Sequence, residues 1–377
     1  MNKSYIWSLP TRVFHALFAL LITIAFLSAE DEWLNFHAVI GYGVLILVIF
    51  RLCWGIWGPK HSLFKDLPLG KKNIKEFLNH IFEEKQKFLG HNPLASYVMI
   101  SMLVVAILAV LTGALAFGIQ EGKGIFSFLN NSFFKNMKLF KEIHEIFANL
   151  FIALIVAHII GVLIDRLLHK KQETLNSIVS GYKVTDENES IKLNIYQKMF
   201  SLLMFIFFIG FLAFNLYNPK NILIASKYHP IDYKIQNELF VKECGSCHTL
   251  YPPTLLPKKS WELIMSDLEN HFGDDASISE DSNKEILDFL VKNSAETSTM
   301  KPGFNFLNSI KNQDIIAMTK TTYWEKTHKE IPKELFEHSE IKSKANCKAC
   351  HSDIEKGLIE KENIKNLSDF KSNFKKE

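Results

Sequence analysis

Five long apolar runs constrain this chain more than any other feature: Val13–Ala29, Trp33–Trp57, Ala95–Phe117, Ile143–Leu168 and Met199–Tyr217. A bilayer core of about 30 Å needs about 20 helical residues, so each run is long enough to span. In lipid every backbone polar group must be satisfied internally, which leaves helices or a closed barrel. The runs are continuous rather than alternating, so barrel strands do not fit and spanning helices are expected. The 48% hydrophobic content and the 31 Phe would suit a large soluble core if spread evenly. They are instead concentrated in the first 217 residues. After Asn218 the chain carries 23 Lys, no Arg and 25 Asp plus Glu, which reads as a solvated, near-neutral domain. A net charge of only +3 gives no footprint for nucleic acid.

Basic residues set the expected orientation. Residues 1–12, 58–93 and 165–198 hold 2, 7 and 6 Lys plus Arg, against 0 in 30–32 and 4 in 119–141. The N-terminus is therefore expected on the cytoplasmic side, and five spans then deliver everything after Tyr217 to the other side. The first run is not expected to be cleaved as a signal, because Leu27 stands where a small residue is needed before Ala29.

Four histidines fall within the spans: His15, His37, His144 and His158. Ionisable residues at membrane depth point to function, although a single one can simply hydrogen-bond a neighbouring helix. Their spacing says more. His144 and His158 are 14 residues apart on one helix, nearly four turns and about 21 Å, so they face the same way at two depths. On the first helix His15 lies 14 residues from Ala29, at the depth of His158. On the second, His37 lies near the outer end, at the depth of His144. Two pairs result, His37 with His144 outside and His15 with His158 inside. Facing imidazoles in a bundle core are how such bundles hold haem, so two b-type haems are expected. Zinc would call for more Cys, Asp or Glu nearby. Arg51, 14 residues after His37, lies at the depth of the inner pair. Two roles stand open for it: pairing with a haem propionate, or snorkelling to the interface. His91, in Gly-His-Asn-Pro, reads as a turn before a helix. His61, His80 and His169 read as solvated loop residues. Cys53, alone in an apolar run, reads as a small hydrophobe.

The other four cysteines form two Cys-x-x-Cys-His motifs, Cys244–Cys247–His248 and Cys347–Cys350–His351. This is the attachment signature of c-type haem: two thioethers from the cysteines, with the adjacent His on the iron. A zinc site built from two Cys-x-x-Cys pairs usually separates them by about 15–20 residues, far less than the stretch present here. Each iron can take a sixth ligand. His229, His271, His328, His338, Met265 and Met300 are the candidates, a Met raising the potential and a second His keeping it low. WELIMSDLENHF reads as an amphipathic helix ending in His271, on which Met265 belongs to the packed face. His328, in TTYWEKTHKEI, precedes the second motif. Either His can equally be a plain surface residue. The lysine-rich tail from Lys361 reads as a flexible end.

Two resemblances emerge from these residues. TRVFHALFALL, FHAVIGYGVLILVIFRLCWGIWGPKH, GHNPLASYVMISMLVVAILAVLTG and EIHEIFANLFIALIVAHIIGVL resemble the four spans of bacterial cytochrome b of the 561-nanometre type. The cytochrome b subunits of nickel–iron hydrogenases are more distant relatives. The resemblance covers about residues 5–183 and implies a four-helix bundle with two b haems, bis-His ligated by His15, His37, His144 and His158, exchanging electrons with quinones. It also places Gly-His-Asn-Pro within the family pattern, without a role for His91. The segment of about 235–360 is similar to the periplasmic di-haem cytochrome c family, through CGSCHTLYPPTLLPKKSWELIMSDLENHFGDDASI, TKTTYWEKTHKEIP and NCKACHSDIEKG. This implies bis-His ligation, with His248 and His271 on one haem and His351 and His328 on the other. The assignment of distal His to iron is the least constrained step.

The expected architecture is all-α: a transmembrane four-helix di-haem bundle over residues 1–183, a cytoplasmic linker and fifth, tethering helix over 184–218, and a mainly helical periplasmic di-haem cytochrome c domain over 219–377. The expected setting is a bacterial inner membrane. No nucleotide-binding loop or hydrolase constellation appears, so the chemistry rests with the haems. The leading expectation is electron transfer from the quinol pool through two b haems and two c haems to a periplasmic cytochrome or other redox protein, as a quinol–cytochrome c type oxidoreductase. The alternative is a subunit or anchor carrying electrons inward from a periplasmic dehydrogenase or hydrogenase. A haem-based sensor lacks any output domain to serve. A homodimer is compatible with the pattern, and the sequence selects neither direction of flow nor quinone type.

Overall fold

A computed structural model describes the chain at all residues except 1, 84–87, 171–172, 186–189, 219, 312 and 366–377. Most of the lysine-rich tail thus lies outside the described residues. Contacts divide the chain into two compact units. The first holds residues 1–118, 123–126 and 137–225; the second holds 119–122, 127–136 and 226–377.

The first unit is built on five long helices: α1 Leu9–Leu27, α2 Leu34–Trp57, α3 Pro93–Ala116, α4 Leu139–Leu168 and α5 Ile195–Tyr217. All five are long and apolar enough to cross a membrane. Their starts differ from the hydropathy boundaries because caps, not apolar residues, begin helices. Asn92 accepts from the Ala95 N–H just ahead of Pro93, and Asn194 forms a capping box with Gln197. Pro10 opens the first turn of α1.

Helix α2 is the hub, packing against α1, α3 and α5, while α3 packs along α4. Phe18, Leu21, Val44, Leu47, Leu103, Phe151 and Phe208 are among the buried side chains of the shared core. At Gly43 a Cβ would lie 3.1 Å from both Leu21 Cδ1 and Leu212 Cδ2, so the missing side chain lets α1 and α5 close on α2. A two-stranded antiparallel ladder, β1 Asn2–Tyr5 with β2 Tyr182–Thr185, joins the N-terminus to the segment after α4. His169, expected in solvent, is only 2% exposed. Its ring bonds the Asp165 carboxylate at 3.0 Å and the Ile81 carbonyl at 3.0 Å. A partner on each ring nitrogen satisfies its polar atoms without water. His61 is half-buried with φ +69°, while the His80 side chain stays largely exposed.

The second unit has short helices, of which α6 Glu238–Cys244, α7 Lys258–Ser266, α8 Glu280–Lys292, α9 Lys301–Ile310 and α10 Thr322–Thr327 frame the motifs. Tyr233, Phe240, Trp261, Met265, Ile286 and Leu290 build one core beside the first motif. Leu255, Phe306, Trp324 and Ile354 build another beside the second. Met265 is therefore packed in a core. The helix expected to run on to His271 stops at Ser266. A 3-10 turn over Leu268–Asn270 follows, and Phe272 takes a left-handed φ of +56°. The Asp267 backbone, at φ −141° and ψ 59°, cannot continue the helix. The same unit buries Lys135, whose ammonium donates to the Thr299 carbonyl. Nearby, Lys301 pairs with Glu121 at 2.8 Å, and Tyr228 is bonded to Asn130 at 2.9 Å and to Thr299 at 3.0 Å.

Candidate functional site: four imidazole pairs

Within the membrane unit the imidazoles of His15 and His158 have ring centres 6.2 Å apart, and those of His37 and His144 6.1 Å apart. In the second unit His248 and His271 stand 6.1 Å apart, and His328 and His351 6.2 Å apart. The uniformity has a simple chemical reading. Two metal–nitrogen bonds of about 2 Å in line, plus about 1.1 Å from each nitrogen to its ring centre, give about 6.2 Å. Each pair thus has the separation that a single six-coordinate iron between two imidazoles requires. Among the described residues no group of three or more His, Cys, Asp and Glu gathers as a metal site. The imidazoles therefore stand as pairs. The interplanar angles differ: 52° for His15–His158, 86° for His37–His144, 20° for His248–His271 and 73° for His328–His351.

Backbone carbonyls orient several of these rings. His37 Nδ1 lies 2.9 Å from the Ala25 carbonyl at the C-terminal end of α1. His144 Nδ1 lies 2.8 Å from the Ala109 carbonyl on α3. When Nδ1–H donates to a carbonyl, the tautomer is fixed and Nε2 is left as the metal-facing atom. Gly113 makes the second contact feasible: a Cβ there would sit 2.9 Å from both Cε1 and Nδ1 of His144. Hydropathy and motif reading gave no signal for Gly113, since an apolar run tolerates a glycine silently. In the second unit Nδ1 of His248 lies 2.7 Å from the Thr249 carbonyl, and Nδ1 of His328 lies 2.9 Å from that of Trp324. The His328 ring also stacks on Trp324 at 4.4 Å.

Cys244 and Cys347 are partly buried, and burial pushes each free thiol up to about 11. Neither is a nucleophilic thiolate at neutral pH, which suits attachment cysteines rather than catalytic ones. Cys350 is raised for the same reason, and Cys247 is exposed. Burial also lowers His271, His328 and His351, keeping them neutral and able to ligate. Arg51 is 4% exposed. Its guanidinium donates to the Ser62 carbonyl at 3.1 Å, approaches Met99 Sδ at 3.3 Å and lies over the Phe64 ring at 4.9 Å.

Comparison with known proteins agrees with both halves. Residues 6–181 match the family described as prokaryotic cytochrome b561, and residues 240–359 match dihaem cytochrome c. A solved diheme cytochrome c from Rhodobacter sphaeroides is 32% identical; the match covers 34% of this chain and 99% of that one, with a TM-score of 0.30. A diheme cytochrome type c from Shewanella baltica is 31% identical over 34% of this chain and 91% of that one, with a TM-score of 0.28. No curated protein matches. The two families indicate haem b and haem c, and with five apolar helices they make this a membrane electron-transfer protein. By these matches the membrane half carries a prokaryotic cytochrome b561 domain and the C-terminal half a dihaem cytochrome c domain.

Proposed function

We propose that this protein carries electrons from the membrane quinol pool through two b haems and two c haems to a periplasmic redox protein. The observation that carries the reading is the set of four imidazole pairs, each 6.1–6.2 Å between ring centres, divided between an apolar bundle and a domain with two Cys-x-x-Cys-His motifs. In this reading His15 with His158 and His37 with His144 each hold a b haem. His248 with His271 and His351 with His328 hold the c haems, tethered by Cys244 and Cys247 and by Cys347 and Cys350. Haem supplies one-electron chemistry, and the polypeptide fixes its ligands, burial and potential. Arg51 faces a propionate of the inner haem: a buried guanidinium calls for an anion, and no carboxylate pairs with it among the described residues. The basic loops support an N-terminus in the cytoplasm and a c-type domain in the periplasm.

Rapid mixing of the oxidised protein with a menaquinol or ubiquinol analogue tests the proposal, following b and c absorption bands separately. Reduction of b before c supports outward flow from quinol. Reduction by dithionite but by neither quinol refutes it and favours inward delivery from a periplasmic dehydrogenase.

A further inference from the structure

His91 is one of six histidines that the four pairs leave over. It sits between Gly90 and Asn92, the residue that caps α3, and its ring meets the Trp7 ring edge-on at 4.9 Å. Its Nδ1 is closed off from solvent and has no hydrogen-bond partner. Such an atom costs stability unless something else in the functional protein satisfies it. The charged groups that act on His91 are Arg51, His158, Lys183 and His61, all of them basic. Together with burial, they hold the imidazole down at about 3. Lys183 is spoken for: it is 4% exposed, donates to the Phe88 and Leu89 carbonyls at 3.3 Å each, and feels the Asp165 carboxylate. Arg51 is not matched in this way, since its partners are a carbonyl, a thioether and an aromatic ring. One end of the membrane unit therefore gathers a buried guanidinium and an orphaned imidazole nitrogen within electrostatic reach of His158, and no hydrogen bond or ion pair among the described residues joins a carboxylate to either.

We infer that His91 Nδ1–H is the second anchor, beside Arg51, for a propionate carboxylate of the haem held between His15 and His158. This rests on the reading of that pair as a haem site. A carboxylate has two oxygens and about four acceptor sites, so it takes a guanidinium and an imidazole N–H together. The orphaned donor, the unmatched Arg51 charge and the proximity to His158 are then accounted for by one group. His91 acts as a positioning residue and touches no reacting atom.

Redox titration of the intact, four-haem protein tests this with His91→Ala and His91→Gln. Losing a donor leaves more negative charge on the carboxylate, which favours ferric iron. In His91→Ala the inner b haem should become harder to reduce by on the order of tenfold, a fall of about 59 mV for a one-electron couple. The outer b haem and both c haems should be unchanged, and their content reports correct folding. His91→Gln, which keeps an N–H donor, should recover most of the shift. An inner-haem potential in His91→Ala equal to that of the unaltered protein overturns the inference. So does an equal fall in both variants, because packing against Trp7 is then the agent. His158→Ala separates the two layers. If it keeps two full b haems, the haem reading of the pair fails. If it loses one while the His91 variants titrate normally, only the propionate assignment fails.

Discussion

Replacing Gly113 by Ala should weaken the outer b haem selectively. The new Cβ would stand 2.9 Å from Cε1 and Nδ1 of His144, whereas non-bonded carbon contacts settle at about 3.5–4.0 Å. The ring or the helix must therefore yield by about 0.6 Å or more. The ring cannot yield freely, because Nδ1 is held 2.8 Å from the Ala109 carbonyl and, in the proposed reading, Nε2 must face the iron. Overpacking of this kind costs about 1–3 kcal/mol, and loss of the carbonyl contact adds about 0.5–1.5 kcal/mol. Better helix propensity returns at most about 1 kcal/mol. The net, roughly 1–3 kcal/mol, corresponds to about five- to 150-fold weaker haem retention at this pair. The assay is pyridine haemochrome quantitation after detergent extraction, resolving b from c haem. The expected ratio falls from two b per two c toward one b per two c as haem-free buffer is exchanged. Two fully retained b haems with unaltered outer-haem absorption in Gly113→Ala would refute the steric argument.

Further outcomes can be measured in the same way. Cys347→Ala should remove covalent c haem from the second motif alone, halving the c content while b content holds. His328→Met should raise the potential of one c haem, since a thioether favours ferrous iron; an unchanged titration would exclude His328 as its ligand. Burial lowers Lys135 from 10.5 to about 8. Between those values the unfolded chain binds more protons than the folded one, so this group's contribution to stability improves as pH rises from 8 to 10.5, by up to about 3 kcal/mol. The melting temperature of wild type relative to Lys135→Met should accordingly climb across that window, and a pH-independent difference would contradict it.

The membrane half was legible because its signals are long and redundant. An apolar run announces a spanning helix without any knowledge of its neighbours, and a His within one is conspicuous. The 14-residue intervals carried depth as well. What escaped reading depends on partners distant in sequence. The pairing of Asn2–Tyr5 with Tyr182–Thr185 joins two four-residue strands too short for a periodic pattern. His169 looked like a loop residue because its partner carbonyl, Ile81, is 88 residues away. Helix ends were blurred because Asn92 and Asn194 are polar and fall outside any hydropathy window. Past Ser266 the apolar spacing of WELIMSDLENHF continues through a 3-10 turn, so periodicity alone could not locate the break. Gly113 and His91 matter through what a side chain would strike or what an atom lacks, and both are facts of packing.

If each pair holds an iron as proposed, the unequal ring angles give each site its own magnetic identity. In a low-spin ferric haem the two imidazole planes determine how far the iron d orbitals split. Near-perpendicular rings, as at His37–His144, leave them almost degenerate and produce a strongly anisotropic signal. Near-parallel rings, as at His248–His271, split them and produce a rhombic one. Electron paramagnetic resonance of the frozen, oxidised protein should therefore resolve the 86° and 20° sites at opposite extremes, with the 73° and 52° sites between them. Samples quenched at successive times would then reveal the order in which the proposed irons are reduced.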